Sequence, residues 1–242
     1  GCKKSEKLPD ISRWNTLNVI KMSSMFSNCI SLKYLPDISN WNVGNVKDMN
    51  SLFNNCSLLK NTPEINKWNM ENVEYISYMF DGCHSLLSLP NISKWNTKNV
   101  IDISSIFHKC KSLKYIPDLS YWNLPKLINM TEAFSECSSL VSCSFKMYWN
   151  LENIKNMSKL FYNCSSLKSI DNINWNTCNM ENMSCLFYGC KSLIKLPEVL
   201  YLNTSRVTKM DGLFCGCSSL KSISDISKWD TSNVITLSNI FC

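Results

Sequence analysis

The sequence predicts an α/β solenoid of about nine 27-residue units, each with one short parallel strand and one short helix. Phenylalanine recurs every 27 residues with a single interval of 26, and a cysteine column keeps the same spacing. The two columns are Phe26, Phe53, Phe80, Phe107, Phe134, Phe161, Phe187, Phe214 and Phe241, and Cys2, Cys29, Cys56, Cys83, Cys110, Cys137, Cys164, Cys190 and Cys217. A fixed period of this length is typical of stacked supersecondary units rather than of an enzyme core.

A tryptophan column follows the same period. Its members are Trp14, Trp41, Trp68, Trp95, Trp122, Trp149, Trp175 and Trp229, with Leu202 in the one vacant position. Aromatic columns can act as stacking platforms for bases or sugars. We instead assign both aromatic columns to the core, because a solenoid without long strands needs a buried aromatic side chain in every unit.

The repeat register at the two ends predicts one continuous array over residues 1–242, uncapped at both ends. Cys2 already lies in the cysteine column, and Cys242 falls in the middle of a unit. Solenoids need terminal units with a polar outer face. We therefore expect this sequence to be a window of a longer protein.

The composition excludes several classes of protein. With 45% hydrophobic and 18% charged residues, the chain is expected to be ordered rather than a disordered tail. No apolar run reaches the roughly 18 residues of a membrane span, so we expect no membrane contact by this segment. The net charge of +6 is scattered through the units, and nucleic acid is therefore not an expected partner.

The helix is predicted from apolar residues at steps of three and four, as in Met49, Leu52, Phe53 and Cys56. It would begin at an asparagine column that includes Asn45, or at the hydroxyl column that follows. Asn or Gly precedes the column cysteine in six units, and both tolerate the left-handed backbone that ends a helix. The helix should therefore stop just before the cysteine. The asparagine column is also expected to form a hydrogen-bonded ladder that satisfies turn carbonyls.

The strand is predicted in the run after each column cysteine, as in residues 32–38. Pro36 and its equivalents should mark the last strand residue, because proline cannot donate to a ladder. Strands of successive units are expected to stack in parallel about 4.8 Å apart.

The resulting pattern is Met-x-x-Met-Phe-x-x-Cys-x-Ser-Leu-x-x-Leu-Pro-Asp-Ile-Ser-x-Trp-Asn. It resembles the BspA-like leucine-rich-repeat surface proteins over the whole chain. The resemblance implies a leucine-rich-repeat-like solenoid, surface display, and adhesion or partner binding rather than a reaction. It also implies a cell-surface or extracellular location, with a cytoplasmic location as the alternative because the cysteine column is unpaired. The pattern breaks between Cys143 and Trp175, which predicts a bulge or kink there.

The cysteines and histidines are not expected to form a site. Parallel stacking gives poor disulfide geometry, so the column cysteines should be buried free thiols. Off the column, Cys215 and Cys242 share one position in adjacent units and could touch, and Cys242 is expected to be the most reactive thiol. His84 and His108 offer too few ligands for zinc. We predict no catalytic residue, no metal and no cofactor.

The outward face of the strands is the remaining candidate for function. The predicted partner-binding residues are Lys33, Tyr34, Lys60, Lys114, Tyr115, Lys168 and Lys221. A parallel row of mostly acidic residues includes Asp37, Glu64, Asn91, Asp118, Asn172, Glu198 and Asp225. Adjacent rows of opposite charge suit a protein or glycan ligand. We expect a non-enzymatic repeat scaffold; the alternatives are a structural subunit of a large homo- or hetero-assembly, and the targeting repeats of an enzyme.

Overall fold

The computed structural model describes residues 2–143, 149, 151–170, 176–196, 202–223 and 226–242. Its regular elements are short. The parallel strands are β1 (Ser142–Cys143) and β2 (Ser169–Ile170), and two 3₁₀ helices span Ile65–Lys67 and Ile92–Lys94. Most of the pairing between units is made by single residues that face the residue one repeat further along the chain.

A first ladder of paired residues lies where the strand was predicted. Its parallel pairs are Lys7 with Tyr34, Asn61 with Ser88, Tyr115 with Ser142, Ser142 with Ser169, and Lys195 with Ser222. The predicted parallel pairing is confirmed, but it involves one or two residues per unit instead of the whole 32–38 run. Proline two residues after Tyr34 offers no N–H and limits the ladder on that side.

A second ladder, which the sequence did not predict, precedes the phenylalanine of each unit. Single residues pair in parallel along two stretches: Lys21, Asp48, Tyr75, Asp102 and Asn129, and then Asn156, Asn182, Lys209 and Thr236. Each unit therefore contributes to two ladders on different sides of the solenoid. The second one occupies part of the segment that was assigned to a helix.

The predicted helix is wrong, and no α-helix occurs in the described residues. In its place the N–H groups of Met22, Ser24, Phe26 and Asn28 donate to carbonyls of the next unit over 2.7–2.9 Å. The intervening amides of Met25 and Cys29 close tight turns onto the carbonyls three residues earlier. We call this segment, residues 22–29 and its equivalents, the turn ribbon.

Backbone dihedrals explain why the turn ribbon is not helical. Ser24 and Asn28 have φ of 58° and 60°, four residues apart, and equivalent positions repeat along the chain. A positive φ at the third residue is typical of a type II turn and interrupts a right-handed helix. The predicted left-handed residue before the cysteine is thus present, but it ends a turn. At Gly82 (φ 71°) an added Cβ would collide with Asn55 Oδ1 unless that side chain moved; Asn28, Asn55 and Lys109 occupy the equivalent position in other units with φ of 57–60°.

The asparagine column forms the expected ladder between units. The side-chain amides of Asn45, Asn72 and Asn99 each donate to the carbonyl 28 residues earlier, over 2.7–2.8 Å. The alternative role as a helix N-cap is excluded in these units by the absence of a helix. The ladder confirms that these side chains satisfy turn carbonyls.

The core is a stack of like residues from successive units. Neighbouring phenylalanine rings lie nearly parallel, with centroids 5.4–5.9 Å apart from Phe26 to Phe241. Trp68 Nε1 donates to the Ile38 carbonyl over 3.0 Å, and the same bond recurs at other buried tryptophans. The aromatic columns therefore form the core within the array, as predicted, while Trp14 and Phe241 near the two ends of the described chain are 55% and 53% exposed. Trp175 and parts of the predicted bulge, residues 144–148, 150 and 171–175, lie outside the described residues.

Candidate functional site

The candidate site is the strand face, which we define as the side chains of residues 33–34 and their equivalents in the other units. Tyr34 and Tyr115 are 68% and 64% exposed. The lysines at positions 60, 114, 168 and 221 are also exposed, whereas Lys33 is half-buried. The seven predicted residues thus lie in five units, at or directly beside positions that pair in the first ladder.

Four of the five lysines of the strand face form no ion pair, as is also true of described lysines elsewhere, such as Lys94 and Lys111. Lys33 forms an ion pair with Glu6 at 3.0 Å. In the part of the chain that the structure describes, Lys60, Lys114, Lys168 and Lys221 form none. Other lysines pair with a carboxylate of the neighbouring unit: Lys47 with Glu74, Lys98 with Glu71, Lys155 with Glu181, and Lys159 with Glu132. The strand face therefore keeps an uncompensated row of positive charge.

Several side chains of the acidic row beside these lysines form hydrogen bonds within their own unit. The side-chain oxygens of Asp37, Asn91 and Asp118 accept the N–H of the serine two residues later at 2.9–3.0 Å. This bond to Ser39 lowers the pKa of Asp37, helped by the Ser39 hydroxyl and by Lys67. The carboxylates remain exposed, but they also hold local turns. Asn172, Glu198 and Asp225 lie outside the described residues.

A cleft of about 350 Å³ opens in the strand face between the units of Trp41 and Trp68. Seven of its lining residues carry polar groups: Tyr34, Asp37, Ser39, Asn61, Thr62, Glu64 and Lys67. The cleft coincides with a gap in the first ladder, because Tyr34 pairs with Lys7 and Asn61 pairs with Ser88, but these two do not pair with each other. Sequence reasoning missed this cleft. The available signal was Thr62, a polar residue in an otherwise apolar column.

The column cysteines are free thiols, as predicted, and all are buried except Cys2, which is exposed, and Cys217, which is partly buried. From Cys56 onward each column Sγ donates to the carbonyl of a phenylalanine in the preceding unit; Cys56 donates to Phe26 over 3.2 Å and Cys137 to Phe107 over 3.0 Å. Burial raises the pKa of Cys56 and of Cys137 to about 12. Thiols in this state are poor nucleophiles and metal ligands.

The prediction that Cys242 is the most reactive thiol is wrong. Cys242 forms a disulfide with Cys215, and the two Cα atoms are 4.5 Å apart. The stacking that brings equivalent residues together makes this pairing geometrically accessible. Cys242 is exposed at the surface, unlike the column thiols, which are directed at phenylalanine carbonyls.

The histidines take part in surface hydrogen bonds. His108 lies between two carboxylates, with Nδ1 2.9 Å from Asp81 Oδ1 and Nε2 3.5 Å from Glu136 Oε1. His84 Nδ1 lies 3.0 Å from the Lys109 carbonyl oxygen. No group of three potential ligand residues that could hold a metal ion occurs among the described residues. The two histidines therefore contribute to separate inter-unit contacts of the turn ribbon.

Among the described residues no helix has the length and apolar character needed to cross a membrane.

Solved structures similar to this chain are leucine-rich-repeat proteins, the class that the sequence motif resembles. One from Treponema pallidum has 21% identity and a TM-score of 0.41, covering 89% of this chain and 77% of its own. One from Bacteroides ovatus has 19% identity and a TM-score of 0.42, covering 90% and 68%. A leucine rich cell surface protein from Faecalibacterium prausnitzii has 16% identity and a TM-score of 0.26, covering 90% and 76%.

No curated protein sequence matches this chain significantly. A family model described as "Mycoplasma protein of unknown function, DUF285" matches residues 2–114, 58–173, 85–200 and 168–242. These overlapping matches together span the repeat array, in keeping with a model built on the repeat itself. The chain therefore belongs to the DUF285 family of repeat proteins.

Proposed function

We propose that this chain is a non-enzymatic repeat scaffold that binds a protein or glycan ligand along its strand face, as part of a cell-surface adhesion protein. One observation carries the proposal. The core columns keep the same residue type in nearly every unit, whereas the exposed column of Tyr34 varies freely, with Asn61, Ser88 and Tyr115 in the next units. The fold does not require tyrosine there.

The chemistry of this face is that of a binding surface. Exposed tyrosines bury a large apolar area at low conformational cost, and they are enriched at the centres of protein interfaces. The unpaired Lys60, Lys114 and Lys168 would add attraction for acidic groups on a partner, mainly by speeding association. Tyr115 and Lys114 lie side by side, so both contributions can act on one ligand group.

The cysteines support an extracellular location. A disulfide such as Cys215–Cys242 persists in oxidising compartments. The free column thiols do not argue for the cytoplasm, because they are buried and hydrogen-bonded and so are protected from oxidation. Surface display is therefore compatible with both kinds of cysteine.

The experiment compares two quadruple variants on glycan arrays and on a panel of purified extracellular glycoproteins. In the first, Lys33, Tyr34, Lys114 and Tyr115 are replaced by serine. In the matched control, the same change is made at Lys47, Tyr75, Tyr78 and Lys155, which are exposed elsewhere on the solenoid. We expect binding by the wild type and the control, and loss of binding by the strand-face variant. Unchanged binding by that variant, or equal loss in the control, would show that the strand face is not the interface.

A further inference from the structure

Thr62 breaks a column that is otherwise apolar. The equivalent positions hold Leu8, Leu35, Leu89, Ile116, Cys143, Ile170, Leu196 and Ile223. Among the described residues, the hydroxyl oxygens of Thr62 and Thr204 are the buried side-chain oxygens without a hydrogen-bond partner. The equivalents of Thr204, such as Thr16 and Thr97, donate to a carbonyl of the next unit at 2.9 Å. Thr204 thus belongs to a structural ladder, whereas Thr62 has no such counterpart.

The Thr62 hydroxyl is unfavourable for the stability of the folded chain. A buried hydroxyl without a partner lowers the stability of the folded chain, and the leucine found in the preceding unit at Leu35 would not have this effect. Thr62 lines the cleft described above, so a polar group bound in the cleft can supply the missing partner. The Thr62 side chain as a whole is only partly buried, and rotation about χ1 would place the hydroxyl where the methyl group now lies.

The same unit departs from the repeat at a second cleft residue. Glu64 replaces the Asp or Asn of neighbouring units and makes no side-chain cap to the 3₁₀ helix Ile65–Lys67. In the neighbouring unit, Asn91 caps the equivalent helix by accepting from Ser93. The core side chains Ile65 and Trp68 nevertheless stay buried. The unit that contains Thr62 and Glu64 therefore keeps the core packing of the other units, but it presents different side chains to the cleft.

The chemistry of the cleft favours a neutral, hydroxyl-rich ligand. Lys67 and the Asn61 amide can donate, Asp37 and Glu64 can accept, and the Tyr34 ring offers an apolar surface. The carboxylates of Asp37 and Glu64 disfavour an anion, and Lys67 offsets one of their two negative charges, which weakens the attraction for a cation. Sugar hydroxyls both donate and accept, so they satisfy groups of both kinds. A volume of about 350 Å³ is at the small end of ligand sites and suits a single sugar ring better than a folded partner.

We propose that this cleft is a subsite for one neutral sugar residue of a glycan, and that Thr62 is a specificity-determining contact within it. The inference rests on the proposed function and names the ligand class for one part of the strand face. A sugar hydroxyl would accept from or donate to the Thr62 hydroxyl, while Asp37 and Lys67 hold hydroxyls at the cleft rim. Other units lack the threonine and would bind the ligand through their lysines and tyrosines.

The test uses two-dimensional amide NMR of the full chain titrated with glucose, galactose, mannose and N-acetylglucosamine. We expect at least one sugar to shift the amide signals of Asn61, Thr62 and Lys67. Thr62→Val keeps the shape of the side chain and should lower the affinity for that sugar roughly two- to tenfold, which is the contribution of one neutral hydrogen bond. Thr62→Ser keeps a hydroxyl and should bind the sugar as the wild type does. Thr204 carries the second buried hydroxyl without a partner among the described residues, and Thr204→Val should leave sugar binding unchanged.

Three results would overturn the proposal. They are the absence of shifts with all four sugars, shifts that map away from the cleft, and equal affinity of wild type and Thr62→Val. A parallel titration with short acidic and basic peptides separates this proposal from the broader one. Peptide shifts at Asn61 and Lys67 without sugar shifts would show that the cleft binds protein, so the sugar proposal would fail while the binding function of the strand face would stand.

Discussion

Cys83 Sγ donates a hydrogen bond to the carbonyl oxygen of Phe53, 3.1 Å away and in the preceding unit. The same carbonyl also accepts from the backbone N–H of Cys56, which closes the last turn of its own unit. The thiol therefore adds a bond between units to a carbonyl that already holds a turn within a unit. This arrangement explains why cysteine recurs in a column whose thiols are free.

The column thiols should resist alkylation in the native state. The hydrogen bond and the burial of Cys83 and Cys137 favour the neutral thiol, which is not the reactive form. With iodoacetamide and mass spectrometry, we expect labelling of the exposed Cys2 and the partly exposed Cys178, and full labelling of the column only in denaturant. Rapid native labelling of Cys83 would contradict this.

The same thiols predict a loss of stability in alkali. The pKa of Cys56 and Cys137 is raised from 9.0 to about 12, so their contribution to stability is fully present below pH 9. As the pH rises from 9 towards 12, the thiols of the unfolded chain ionise first and favour unfolding. Urea denaturation of the wild type against a Cys56→Ala, Cys137→Ala double variant measures this. The variant should lose less stability over that range, and parallel curves would contradict the prediction.

Replacing Phe107 by alanine should strongly destabilise the solenoid. Its ring stacks on Phe80 and Phe134, with centroids 5.6 and 5.8 Å away, and it is fully buried. The cavity would cost about 3–5 kcal/mol in the free energy of unfolding. The control is Tyr115→Ala, whose side chain is exposed and should cost under about 0.5 kcal/mol. Urea denaturation followed by circular dichroism distinguishes the two, and wild-type stability of Phe107→Ala would exclude a core role.

The turn ribbon predicts different costs for two glycine substitutions. Gly82 has φ of 71° and lies against the Asn55 side chain, so Gly82→Ala should destabilise by more than about 1 kcal/mol. At Gly44 φ is not positive, and an added Cβ would have a nearest neighbour 3.3 Å away, so Gly44→Ala should cost much less. Thermal and urea denaturation measure both. Equal stability of the two variants would mean that a helix, not a turn, occupies the Gly82 segment.

The Cys215–Cys242 disulfide predicts how many free thiols the oxidised chain contains. Of the 14 cysteines, Cys215 and Cys242 are paired and 12 are free. A thiol assay in denaturant should therefore detect 12 groups in the oxidised chain and 14 after reduction. Cys242→Ser should locally loosen the last turn ribbon by about 2–4 kcal/mol, the usual contribution of a cross-link, measured by amide hydrogen exchange. A count of 14 without reductant would exclude the disulfide.

The prediction of a helix failed for a reason that lies in the spacing itself. Met49, Phe53 and Cys56 are four and three residues apart, which matches one face of an α-helix. Successive four-residue turns give the same spacing. The difference is where the amides bond, since those of Met49, Ser51 and Phe53 donate to carbonyls 26 residues further along the chain. The spacing of apolar residues does not show which carbonyl accepts each backbone amide.

The periodic features of this protein could be derived from the chain alone: the repeat length, the buried aromatic and cysteine columns, the asparagine ladder and the parallel stacking. Each depends on a contact that recurs between neighbouring units, so a residue type repeated at a fixed spacing predicts it. Features that depend on the backbone partner or on a local departure needed the folded structure: the turn ribbon, the second ladder, the Cys215–Cys242 disulfide and the cleft at Thr62. Backbone hydrogen bonds between units determine the turn ribbon and the second ladder. The disulfide and the cleft depend on which side chains lie close together in space.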